Sequence, residues 1–167
     1  MDRNEIVEEL RRVQADFRQI AGTTSADDLR RRSKGTRWSN RQLLSHMVFG
    51  YVIVRTLLPL VRSLGRLGRS RGFAATLNAG YRPFHLINYL GWCGGGQLLT
   101  IRAQAALLDR TIDALQRELA AETDASLALT MHFPTAWDPY FTPTMSVLDV
   151  YHFGTQHYEH HRRQLDL

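Results

Sequence analysis

Apolar residues recur at spacings of three and four in four separate stretches of the chain, which predicts four amphipathic helices. From Asp2 to Ile20 the stripe is Ile6, Leu10, Val13, Phe17 and Ile20, with charged residues between. Ser39-Asn40-Arg41-Gln42 has the form of a capping box, in which the serine side chain takes a free amide and the glutamine reaches back, so a second helix starts there. Leu43, Met47, Val48, Tyr51, Val54 and Leu58 give it an apolar face. Pro59 lacks an amide proton and is expected to kink or end it. The third helix runs from Gln97 to Ala121, with Leu98, Ile101, Ala105, Leu108, Ile112, Leu115 and Leu119 in the cleanest pattern of the four. The fourth starts near Thr144 or Met145 and runs to the end of the sequence, with Asp149 placed early, where a negative charge suits the helix dipole. No stretch alternates well enough to predict a strand.

Two segments break the helical pattern. Residues 65–96 are interrupted by Gly65, Gly68, Gly72, Gly80, Pro83, Gly91 and Gly94-Gly95-Gly96, and read as a long connection that lets helices two and three run parallel. These glycines match neither of the common phosphate-binding loops, which argues against a nucleotide loop here. The second segment, MHFPTAWDPYFTPTMS, holds Pro134, Pro139, Pro143 and four aromatic residues, and reads as an ordered, non-helical arm. Aromatic loops usually plug a core; this one, lying just before the last helix, can equally roof a pocket.

Composition fits one domain spanning residues 1–167: 44% of the residues are hydrophobic and 22% charged, enough to build one sizeable core. A single cysteine, Cys93, rules out an intrachain disulfide and any multi-cysteine zinc site, so a cytoplasmic setting is expected. MDRNEIVEELRR lacks the apolar run of a secretion signal, and the stretch Met47–Val54 is far short of the roughly 20 residues of a spanning helix, so no membrane span is expected. Charge is uneven. Between Leu29 and Leu108 lie thirteen basic residues and no acidic one, so all sixteen acidic residues fall outside that block. The block is expected to pair with the acidic helices around it, or to favour an anionic substrate. Nucleic acid is not an expected partner, because no helix-turn-helix, zinc-finger or single-strand-binding pattern accompanies the charge.

The chemistry concentrates in histidine. His152, His157, His160 and His161 fall within ten residues of the last helix. His157 and His161 are four apart, so they stack on one face about 6 Å apart at Cβ, a spacing that lets two imidazoles grip one ion. They continue a stripe through Val150, Gly154 and Leu165, and His46 shares its face with Gln42, Leu43, Gly50 and Ile53. One inward histidine is most often a hydrogen-bonded core residue. Three of them on two helices favour a metal, since each buried imidazole needs a partner. Imidazole suits zinc or nickel first, and iron or copper, whereas magnesium or calcium would need carboxylates that are not here. Three protein ligands leave positions open, the pattern of a catalytic or substrate-binding site. His152 and His160 project about 100° or more from that stripe and are assigned to the surface or to a supporting role. Tyr51, His132 and Trp137 are the groups expected to contact a small-molecule substrate.

WSNRQLLSHM, in which a Trp-Ser cap precedes the helix of His46, and the ending DVYHFGTQHYEHHRRQL together resemble the DinB-like superfamily, and the helix order and total length agree over essentially the whole chain. The resemblance implies an all-α four-helix bundle running up-down-down-up, often a homodimer, with one divalent metal held by three histidines. Matched by position, these are His46, His157 and His161. Relatives include mycothiol-dependent maleylpyruvate isomerase and bacillithiol transferases, in which the metal activates a low-molecular-weight thiol. A metal-dependent thiol S-transferase or hydrolase is therefore the leading expectation, with a thiol or substrate that the basic block would suit if anionic. The alternative is a non-catalytic metal-binding stress-response or dimerisation module.

Overall fold

Asp2 starts the first helix: its carboxylate accepts the amides of Asn4 and Glu5, and Glu5 reaches back to the Asp2 amide. In the computed structural model, which describes residues 2–68, 70–80 and 99–167, α1 spans Arg3–Thr23 and the short α2 spans Ala26–Arg30. The Ser39–Gln42 capping box is present as the sequence predicts, and α3 runs from it over Asn40–Leu67. Next come α4 (Ser70–Ala79), α5 (Ile101–Ala121) and α6 (Asp124–Leu127). Strands β1 (Thr130–His132) and β2 (Thr144–Ser146) precede α7 (Val147–Arg162). The fold is mostly helical.

Several boundaries differ from the sequence expectation, each for a physical reason. Pro59 neither ends nor interrupts α3. An interior proline costs about 3 kcal/mol, but Leu58 and Val61 around it are fully buried, and burying two such side chains returns roughly 3–6 kcal/mol. Helix α3 ends two turns later at Gly68, whose φ of 63° lies in the left-handed region that favours glycine. Part of the expected irregular connection is thus helical: residues 65–67 close α3, and 70–79 form α4. The rest of that connection, with Pro83, Cys93 and the later glycines, lies outside the described residues, as do Gln97 and Leu98. Helix α5 begins at Ile101, capped by Thr100.

The arm also differs. Its two ends pair as an antiparallel ribbon, with Met131 opposite Met145, so residues 144–146 are strand rather than the start of the last helix. Three-residue strands are too short to show alternation. Helix α7 starts instead at Val147 behind a Ser146–Asp149 capping box and stops at Arg162, short of the chain end.

Helix α3 packs against α5 and α7, and α1 packs against the same two. The sequence stripes meet between them: Ile6, Leu10, Val13, Phe17 and Ile20 of α1 are buried, as are Leu43, Met47, Val48, Tyr51, Val54 and Leu58 of α3 and Leu108, Ile112, Leu115 and Leu119 of α5. The crossing of α3 over α7 is set by two reciprocal glycines. A Cβ on Gly50 would stand 2.8 Å from the His157 ring, and a Cβ on Gly154 2.8 Å from the Tyr51 ring. Each helix therefore offers a glycine to the other's aromatic neighbour. Among the described residues α3 alone is long and apolar enough to cross a membrane, with a mean hydropathy of 1.6. Of that apolar stretch 56% is buried inside the protein, where α3 packs against α5 and α7.

Part of the basic block pairs internally. Arg55 meets Glu118 at 3.1 Å, Arg62 grips the buried Glu122, and Lys34 meets Asp166 at 3.1 Å. The exposed pairs contribute about 0–1 kcal/mol each.

Candidate metal centre

The end of α7 is tied to the start of α3. Asn40, fully buried at the first turn of α3, donates to the Asp166 carbonyl at 2.9 Å and accepts the Asp166 amide at 3.1 Å. The Lys34 amide donates to the Gln164 carbonyl at 2.7 Å. These bonds bring the last turn of α7 alongside the second turn of α3, and so bring His161 to His46.

His46, His157 and His161 converge there. Their ligand nitrogens lie within 4.8 Å of one another, and the ring centroids are 4.9 Å (His46 to His157), 4.7 Å (His46 to His161) and 4.6 Å (His157 to His161) apart. His46 and His157 are buried and His161 half-buried. The indole of Trp38 covers the outer side, 4.8 Å from the His46 ring and 6.5 Å from that of His161. Burial, followed by the repulsion of His157 and His161, holds His46 well below the ordinary histidine range. Burial first and His157 second push His161 down to about 4. Both are therefore neutral at pH 7 and carry a lone pair.

Two hydrogen bonds orient the rings of His157 and His161. His157 Nδ1 lies 3.0 Å from a carboxylate oxygen of Asp138, which can only accept, so Nδ1 carries the proton and Nε2 is a donor atom for a ligand bond. His161 Nδ1 lies 2.7 Å from Gln164 Oε1, with the same consequence. The glutamine orientation is consistent, because its amide nitrogen faces His160 Nε2 at 3.5 Å. His157 Nε2 is buried and makes no hydrogen bond. A buried acceptor without a partner costs about 1–3 kcal/mol. A cation removes that cost. The donor set thus fits a transition metal: imidazole nitrogens, oriented from behind by a carboxylate and an amide as in other metal sites.

A half-enclosed cavity of about 170 Å³ adjoins the histidines, with His46 and His157 in its wall. The arm between the strands supplies Phe133, Pro134, Trp137, Asp138 and Phe141, and α4 supplies Phe73 and Leu77. The arm both plugs and roofs, since Met131 and Phe133 also belong to the core.

Of the residues expected to contact substrate, Trp137 stands in the cavity wall, its indole N–H donating to the Leu77 carbonyl at 2.9 Å. Tyr51 lies in the core, fully buried, its ring on Gly154 and its hydroxyl 3.2 Å from Thr155. It follows Gly50 by one residue, and about 100° of helical rotation carries it off the His46 face. His132 lies outside the cavity lining, held between Ser70 Oγ at 2.9 Å and Arg71 at 3.2 Å. His152 pairs with Glu9 at 2.9 Å, and His160 Nδ1 lies 3.3 Å from the Tyr140 hydroxyl. Asp138 and Gln164 were not among the sequence candidates. Gln164 sits three residues after His161, a spacing that carries a signal; Asp138 comes from a loop 19 residues upstream of its partner and carries none.

No curated protein and no solved structure is similar enough to the chain to match it. A family model described as the DinB superfamily matches residues 9–165, a span that includes all three converging histidines and both residues that orient them. The chain belongs to the DinB superfamily.

Proposed function

We propose that His46, His157 and His161 hold one divalent transition metal, zinc or nickel first, and that the protein is a metal-dependent enzyme of thiol S-transferase or hydrolase type. The observation that carries this reading is the convergence of three imidazoles beside a cavity, with Asp138 and Gln164 turning ligand nitrogens inward. A divalent ion held there would keep its full positive charge, since three imidazole ligands are neutral, and would lower the pKa of a thiol or water at the site. The protein's own part is to orient and to exclude. Asp138 fixes the His157 tautomer and raises its basicity as a ligand. Trp38 covers one side, and the aromatic arm lines the cavity on the other. That adjoining space favours an enzyme over a closed, non-catalytic metal module. An up-down-down-up course of the four long helices, a homodimer and a cytoplasmic location belong to the same proposal.

The test is spectroscopic. Cobalt-substituted protein, titrated with mycothiol and then bacillithiol, should show a thiolate-to-cobalt absorption band with one of them. A metal-loaded protein whose spectrum moves with neither thiol sinks the transferase arm and leaves hydrolysis, which a screen of ester and amide substrates would then detect or reject.

A further inference from the structure

The cavity wall indicates what kind of molecule it takes. Phe133, Phe141 and Phe153 form a run of rings with centroids 5.1 Å and 4.7 Å apart, and Phe153 lies 5.6 Å from the His157 ring. Ile53, Leu57 and Phe73 also line the space. Among the described residues the lining holds no arginine or lysine, although the chain has 21 of them. Its one formal charge is Asp138, an anion that already accepts from His157 and from the Tyr140 amide at 2.9 Å. The indole N–H of Trp137 is engaged with Leu77. In the metal-free protein a carboxylate, phosphate or sulfonate in this space would lose its water, gain no counter-ion from the described lining and share the space with the Asp138 carboxylate. An apolar ring would meet mostly apolar side chains.

We propose that this cavity binds a neutral small molecule with an aromatic or branched apolar body, its one polar end directed toward His46, His157 and Asp138. Among the described residues, no arginine or lysine of the basic block reaches this wall. The inference rests on the proposed metal reading only for what happens at the polar end; binding of the apolar body needs no metal.

The experiment uses metal-free, full-length protein and two probes with the same ring system: N-phenyl-1-naphthylamine, which is neutral, and 8-anilinonaphthalene-1-sulfonate, which differs by one sulfonate. Fluorescence titration should show the neutral probe binding at least about tenfold more tightly, with little dependence on salt, because the described residues of the wall offer an anion no cationic side chain to pair with. Ile53→Trp, which fills the space, should abolish that binding, and Leu77→Arg should shift the preference toward the sulfonate; circular dichroism checks that both fold. Equal or tighter binding of the sulfonate by the unaltered protein overturns the proposal, and so does neutral-probe binding that survives Ile53→Trp in a folded protein. A protein that takes the neutral probe but never a metal would end the proposed function and leave this inference standing. One that holds a metal but prefers the sulfonate would do the reverse.

Discussion

Helix α7 carries two polar clusters, and the contrast between them separates structural histidine chemistry from functional. Toward α1, polar groups are paired within the protein: His152 with Glu9, Tyr158 with Asp16 at 2.7 Å, and Arg162 with Asp16 at 2.8 Å. Toward α3, His157 and His161 are tied at Nδ1, while their other nitrogens converge with those of His46, and His157 Nε2 has no hydrogen-bond partner. The first cluster is closed by its own hydrogen bonds. The second is complete only with something added. Histidine on a helix face therefore signals a site when its hydrogen bonds orient the ring and leave a nitrogen aimed at other ligands.

The largest way to break the comparison is on the closed side. Asp16→Ala should lower stability by about 1–3 kcal/mol, because the buried Tyr158 hydroxyl loses its acceptor, and metal content should not change. Urea unfolding with metal analysis reads both; loss of metal in that variant would mean the two clusters are coupled. On the open side, Asp138→Asn should weaken metal affinity roughly 10–100-fold by removing the charge behind His157, with unfolding of the metal-free protein little altered. Competition with a chromophoric chelator measures it, and an unchanged affinity would remove Asp138 from the centre.

A smaller effect sharpens the contrast through pH. His46 and His161 are harder to protonate in the folded protein than in the unfolded chain, whose histidines titrate near 6.5. The unfolded chain thus takes up protons first. For His161 the destabilisation is absent above about pH 6.5, grows as pH falls, and is complete below about pH 4. Thermal unfolding of metal-free protein should show Tm falling from pH 7 to 5, and a His46→Ala/His161→Ala variant should show a shallower fall. Equal slopes would place the pH dependence elsewhere.

The sequence made the helices legible because their stripes are long and their caps are chemical: the Ser39–Gln42 box is visible in the residues and present in the fold. It also made the inward turn of His46, His157 and His161 legible, since helical phase alone decides which face a residue takes. What stayed hidden depends on contacts distant in sequence. The tolerance of Pro59 comes from the burial of Leu58 and Val61, the ribbon from three paired residues on each side, and Asp138 from a loop folding back onto α7. Gly50 and Gly154 look like weak points in their helices; only the crossing shows that each makes room for a ring.

The central claim is that the converging histidines form a metal centre, and elemental analysis of the purified protein tests it most directly. The account predicts about one transition metal per chain, retained by folded His152→Ala and lost from folded His157→Ala/His161→Ala. Full metal content in the double variant, or none in the unaltered protein after incubation with zinc or nickel, would contradict it.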